Sequence, residues 1–100
     1  MEITIPFNIW SRERLKKGKC ATSRNSRYGI EGDTFMIDGV RYEITSIMKL
    51  PLLKIANQYW YEEGATSSKE FIEVWKGIHP IAGWKPDKEV WIHFFHKIEG

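Results

Sequence analysis

Apolar and polar positions along the first quarter of the chain predict three short elements. Residues 3–7 alternate between apolar and polar or turn-forming types, which predicts an N-terminal strand with one buried face. Asn8 is a helix-capping residue type, and a helix is predicted from about Ile9 to Lys17, with Gly18 as its left-handed stop. The run GKCATSR is too short and too polar for a helix, so a brief strand leading into a loop is predicted within residues 18–24.

The sequence in the middle of the chain predicts a β-hairpin. Gly32-Asp33 turns the chain into a strand over Thr34 to Ile37. Asp38-Gly39 is a two-residue hairpin signal because both turn positions need positive φ, and Val40 begins the return strand.

Two helices and a final strand are predicted in the second half. Pro51 opens a helix whose apolar residues recur at helical spacing and which ends near Gly64. Ser67 and Glu70 have capping-box spacing at the start of the next helix, which Pro80 ends. The segment Glu89 to Ile98 is apolar on both faces, as in a central strand or a barrel wall.

This order of elements favours an α+β fold over an alternating parallel one. The hairpin precludes regular βαβ repetition, whereas a small mixed or antiparallel barrel with helices over one opening accommodates every predicted element. At 100 residues with no internal repeat or linker, the chain is predicted to be one domain over residues 1–100.

Composition narrows the class of protein. No apolar run reaches the length of a membrane span and no secretory signal is evident, so a cytoplasmic protein without membrane contact is expected. The lone Cys20 precludes an intramolecular disulfide. No cofactor motif occurs, and nothing indicates an oligomeric state.

The net charge is only +2, but the positive charge is concentrated. Between Arg12 and Arg27 there are seven basic residues and one acidic residue. Such a stretch attracts an anionic partner such as a phosphate, and its alternative interpretation is a solvated helix face.

Three motifs in order resemble one known family. They are the run GKCATSR, the pair Gly32-Asp33, and EEGATSSKEFIEVW from Glu62 to Trp75. Together they resemble the ASCH domain family, whose fold is similar to that of PUA domains, over roughly Phe7 to Phe95. The resemblance implies a small PUA-like mixed β-barrel with three helices and a cleft beneath them.

The resemblance also implies a function. Family members are associated with RNA or nucleotide-like ligands, and some small members hydrolyse N4-acetylcytidine with a lysine, a threonine and a glutamate. By motif these fall on Lys19, Thr22 and Glu63, and the family's arginine falls on Arg24. In that reaction a neutral Lys19 would take the Thr22 proton, Thr22 would attack the acyl carbon, and Glu63 would protonate the leaving amine.

Binding without hydrolysis is the main prediction. Thr22 and Arg24 are two apart on an extended segment and so share a face. Lys19, Arg24 and Arg27 would contact phosphates or a base edge of unpaired RNA or a modified nucleoside, while Tyr28 stacks on the base.

Other interpretations stay open. Trp60 is a second stacking candidate, and an RNase-like activity on the same surface is a third function. Without chemistry, Thr22 is a strand residue, Lys19 and Glu63 merely pair, and Arg24 anchors a loop. His93 and His96 fall on opposite faces of the last predicted strand, which argues against a shared metal.

Overall fold

Three helices and a curled four-stranded sheet make up the computed structural model, which describes residues 1–98. The strands are antiparallel in the order β1-β4-β3-β2. None of the helices in this range is both long and apolar enough to cross a membrane. The elements are α1 (Ile9–Leu15), β1 (Ala21–Arg24), β2 (Thr34–Ile37), β3 (Val40–Pro51), α2 (Leu52–Gln58), α3 (Ser68–Ile78) and β4 (Glu89–Lys97).

The predicted α+β class with three helices is confirmed, and local side-chain chemistry explains where its elements begin. Asn8 accepts a hydrogen bond from the N–H of Ser11 at 2.8 Å and so caps α1. Asp38 and Gly39 have φ values of 51° and 79°, the geometry expected of a tight hairpin turn between β2 and β3. The hydroxyl of Ser67 likewise caps α3.

The predicted N-terminal strand is wrong. Residues 3–7 keep the alternation, with Ile5 buried, but the only ladder contact in this part of the described chain is a single parallel bridge between Glu2 and Thr34. Pro6 has no N–H to donate, so a continued ladder would lose a hydrogen bond there. The segment packs by its side chains instead.

The second helix is shorter than predicted, ending at Gln58 rather than near Gly64. The backbone carbonyl of Glu62 accepts hydrogen bonds from the N–H groups of Cys20 and Ala21, at 2.8 Å and 2.9 Å. Tyr59, with φ −125° and ψ 13°, has already left helical geometry, and the chain runs in turns from there to Gly64. The bonds to Glu62 connect these turns to the start of β1.

The sheet has a hydrophobic cluster on each face. One lies under α2 and α3 and includes Ile55, Trp75 and Ile92, whereas the other lies under the N-terminal segment and includes Phe35 and Phe95. Within the described residues β1 is an edge strand, paired only with β4. One long side of β1 therefore faces the space between α1 and α3.

His93 joins β1 to the loop that follows it. Its fully buried ring contacts the carbonyl of Thr22 through Nδ1 at 3.2 Å and accepts the N–H of Tyr28 through Nε2 at 2.9 Å. An acceptor at Nε2 and a donor at Nδ1 specify the neutral ring. Burial lowers the pKa of His93, and the Thr22 carbonyl opposes this only partly.

Replacing His93 should flatten the pH dependence of stability. Because the folded pKa lies below the unfolded value of about 6.5, the unfolded chain binds more protons, and stability falls as pH drops below about 6.5. His93→Gln keeps a donor and an acceptor but cannot titrate. The free energy of unfolding, measured with urea between pH 5 and 7, should depend less steeply on pH in this variant, by at most about 1.4 kcal/mol per pH unit. An unchanged pH dependence in His93→Gln would contradict the assignment.

Candidate functional site

A cavity of about 510 Å³ opens between the start of α1, the free edge of β1 and the inner face of α3. Its polar lining comes mainly from Lys19, from β1 and the loop after it, and from the turn after α2, whereas its apolar lining comes mainly from the N-terminal segment, the first turn of α1 and α3. The residues used below are Phe7, Lys19, Thr22, Ser23, Arg24, Tyr28, Glu63 and Trp75.

A buried ion pair lies at the base of this cavity. Lys19 Nζ lies 3.2 Å from Glu63 Oε1 and donates to the Glu63 backbone carbonyl at 2.6 Å. The two side chains are only 2% and 5% exposed. Burial lowers the pKa of the Lys19 ammonium, and the nearby Glu63 carboxylate acts in the opposite direction.

Backbone geometry brings these two side chains together. Gly18 has a φ of 105°, so α1 ends in a left-handed turn that redirects the chain inward at Lys19. The N–H of Lys19 donates to the carbonyl of Arg14 at 2.9 Å. On the other side, Gly64 has a φ of 93° and packs against α1. Glu63, immediately before it, thus points back toward the lysine.

Ser23 completes the group around the carboxylate, and sequence reasoning missed it. Its hydroxyl donates to Glu63 Oε2, so each oxygen of the carboxylate has its own donor. Ser23 lies on the face of β1 opposite to Thr22, which the two-residue period predicts. Because β1 is an edge strand, side chains on both of its faces reach the cavity.

Thr22 and Arg24 share a face, as two residues apart on a strand must. Arg24 Nε donates to Thr22 Oγ1 at 3.2 Å, and its Nη1 donates to the Pro6 carbonyl. The guanidinium carbon lies 4.9 Å from the ring centre of Phe7 and 5.9 Å from that of Tyr28. Burial lowers the pKa of Arg24, although a guanidinium stays charged at neutral pH.

The structure separates the two remaining predicted binding residues. Tyr28 is half-buried and lines the cavity rather than standing free in its loop. Arg27 lies on the outer surface, where it pairs with Glu31 at 3.0 Å and lies over the ring of Trp91 at 5.6 Å. The second stacking candidate, Trp60, lines a shallower groove on the other side of Lys19.

The apolar side of α3 belongs both to the hydrophobic core and to the cavity wall. Phe71 and Trp75 are buried and belong to the core cluster while lining the cavity. His79 stacks on Trp75 with ring centres 4.1 Å apart, and its Nε2 lies 3.4 Å from the Asn25 amide nitrogen. In residues 1–98 no three His, Cys, Asp or Glu side chains are arranged to hold a metal ion.

Solved structures with the same fold include an ASCH domain. That domain, from Lactobacillus crispatus, aligns with a TM-score of 0.71 at 13% identity, covering 96% of this chain and 77% of its own. A protein of Enterococcus faecalis from the family DUF984 has a TM-score of 0.61 at 17% identity, with 89% and 70% coverage. A Pyrococcus furiosus protein solved by NMR has a TM-score of 0.65 at 16% identity, with full coverage of both chains.

These likenesses establish the fold, and the predicted small PUA-like architecture of the ASCH type is thereby confirmed. No protein-family model and no curated protein matches the sequence.

Gly64→Ala should disrupt the base of the cavity. A Cβ there would lie 2.8 Å from Arg14 Cβ and 3.0 Å from Lys19 Cβ, at a φ of 93° that side chains rarely adopt. We expect a loss of roughly 1–3 kcal/mol in the free energy of unfolding, measured by urea denaturation.

Gly77→Ala is the matched control for that substitution. Gly77 lies in α3 with open space around its would-be Cβ. Alanine should therefore be neutral there or stabilise by up to about 1 kcal/mol. Equal effects of the two substitutions would mean that close packing at Gly64 does not matter.

Proposed function

We propose that this cavity binds an unpaired nucleobase, carried by a modified nucleoside or by single-stranded RNA. The observation that supports this most is the Arg24 guanidinium, held inside a cavity with aromatic walls beside a buried lysine–carboxylate pair. The volume of about 510 Å³ lies within the range of about 300–1,000 Å³ that is usual for small-molecule sites.

The aromatic and guanidinium groups suit a flat ligand. Unpaired bases are recognised by stacking on aromatic rings and on the plane of an arginine. Phe7, Tyr28 and Trp75 supply rings to the cavity, and Arg24 lies over two of them. A nucleobase bound here would lose contact with water and would stack against these aromatic rings.

The polar groups suit the edge of a cytosine. A carboxylate accepts hydrogen bonds from the exocyclic amino group of cytosine, and each carboxylate oxygen has two acceptor sites. Glu63 uses one site on each oxygen for Lys19 and Ser23, which leaves acceptor capacity for a ligand. The fold likeness to an ASCH domain supports the same class of ligand, because the resemblance in sequence implies RNA or nucleotide-like partners.

Hydrolysis of N4-acetylcytidine is a second candidate function. The specific observation in its favour is that Lys19, whose pKa burial lowers, contacts a carboxylate that also receives a hydroxyl. In the arrangement that the resemblance implies, Lys19 is the base, Thr22 the nucleophile and Glu63 the acid. Release of cytidine from N4-acetylcytidine is its direct test.

Arg24→Gln should weaken nucleoside binding. Loss of a charged donor and a stacking plane is expected to lower the affinity for N4-acetylcytidine or cytidine roughly tenfold or more, measured by calorimetry. Arg12→Gln, on the exposed side of α1 where Arg12 pairs with Asp38, is the control expected to bind like the wild type. Wild-type affinity in Arg24→Gln would remove the cavity as the binding site.

Arg27→Gln should distinguish RNA from a free nucleoside as the ligand. Because Arg27 lies outside the cavity, its loss should weaken an unpaired oligoribonucleotide more than a nucleoside. The slope of log affinity against log salt should fall by roughly one for the oligoribonucleotide, as expected when one phosphate contact is lost. Equal effects on both ligands, or no change in salt dependence, would count against a strand running past Arg27.

A further inference from the structure

We infer that Ser23, rather than Thr22, supplies the nucleophilic hydroxyl for amide hydrolysis in this cavity. This rests on the second proposed function, the hydrolysis of an acylated cytidine. Ser23 and Thr22 are adjacent on β1 and both line the cavity, yet their hydroxyls have different partners. A nucleophile is recognised by its contact with a base, so these partners decide between them.

Within residues 1–98, the Thr22 hydroxyl has no hydrogen bond to a group that could act as its base. Its Oγ1 accepts a hydrogen bond from Arg24 Nε at 3.2 Å, and a guanidinium has no acceptor for a hydroxyl proton. Among residues 1–98, no hydrogen bond joins this hydroxyl to Lys19 or Glu63. Thr22 lies instead with Arg24 on the ligand-binding face of β1.

Ser23 has both a base and a group that orients that base. Its hydroxyl donates to Glu63 Oε2, and Lys19 Nζ donates to Oε1 of the same carboxylate at 3.2 Å. Nucleophile, base and orienting group in hydrogen-bonded series is the general form of a catalytic triad. Ser23 and Glu63 are buried, at 9% and 4% exposure, so the charged groups act in a medium where electrostatic interactions are strong.

The reaction balances with water as the only co-reactant. The Ser23 proton passes to Glu63 Oε2 as Oγ bonds to the acyl carbon and the carbonyl electron pair moves to oxygen. Collapse breaks the C–N bond, and the amine nitrogen takes the proton from Glu63. Water then attacks the acyl ester and gives a proton to Glu63, after which the C–O bond to Ser23 breaks and Oγ regains its proton. Amide and water become amine and carboxylic acid.

Covalent trapping identifies the hydroxyl directly. The protein is mixed with p-nitrophenyl acetate or N4-acetylcytidine, quenched in acid and digested, and the acetylated peptide is located by tandem mass spectrometry. We expect the acetyl group on Ser23. Ser23→Cys should form a thioester at the same position, and Ser23→Ala should lose the adduct together with about a thousandfold or more of the turnover.

Two further variants sharpen the test. Thr22→Val should raise KM through lost ligand contacts yet still carry the acetyl group on Ser23. Thr45→Val, which removes an exposed hydroxyl on β3 that is not part of the cavity lining, should behave like the wild type. Circular dichroism checks folding, and the adduct on the wild-type protein decides the question even where Ser23→Ala fails to fold.

The outcomes separate this inference from the function on which it rests. An acetyl group on Thr22, or undiminished cytidine release by folded Ser23→Ala, overturns Ser23 as the nucleophile and leaves hydrolysis intact. Acetylation of Ser23 by the activated ester without cytidine release supports Ser23 and overturns N4-acetylcytidine as the substrate. Neither adduct nor cytidine overturns both, and nucleoside binding is then judged by affinity alone.

Discussion

The buried ion pair between Lys19 and Glu63 is the interaction around which this end of the molecule is organised. Removing two charges from water costs several kcal/mol per ion unless each finds well-placed partners. Here the lysine has a carboxylate and a carbonyl, and the carboxylate has a lysine and a hydroxyl. Removing one member alone leaves the other as an unpaired buried charge, which lowers the free energy of unfolding by about 3–5 kcal/mol. Three backbone features hold the pair in place. They are the positive φ values of Gly18 and Gly64 and the two hydrogen bonds that the Glu62 carbonyl accepts.

The unpaired edge of β1 lets side chains from both of its faces border the cavity that contains this ion pair. In a central strand, neighbouring strands would cover both edges, and alternate side chains would be divided between two separate faces. β1 is covered by β4 on one side only, so Thr22 and Arg24 from one face and Ser23 from the other border the same cavity. An unpaired strand edge is a liability in most sheets. Here residues of α1 and α3 line the same cavity as this edge and so enclose the space beside it.

Local chemistry explains what could be predicted from the sequence and what could not. The Asp38-Gly39 turn and the Asn8 cap depend on the conformations of one or two residues, so their signals are complete in the sequence. The turns between α2 and Gly64 are bonded through the Glu62 carbonyl to the backbone at Cys20, a contact between distant segments that no periodicity reveals. The strand predicted over residues 3–7 failed because its alternation reflects side-chain burial, which an unpaired extended segment satisfies equally well.

The candidate site, too, has one part that the sequence predicts and another that depends on tertiary contacts. The motif order suggested that an amine, a hydroxyl, a guanidinium and a carboxylate meet, and in the structure Lys19, Thr22, Arg24 and Glu63 border one cavity. Which hydroxyl faces the carboxylate depends on the side of β1 from which the turn after α2 approaches, and this is a property of the tertiary fold. Glu63 approaches on the face of Ser23, so the residue between the two motif positions makes the contact. In the functions that we propose, binding and hydrolysis would share one cavity, with Arg24 and Thr22 on one face of β1 contacting the ligand and Ser23 with Glu63 on the other face acting on it.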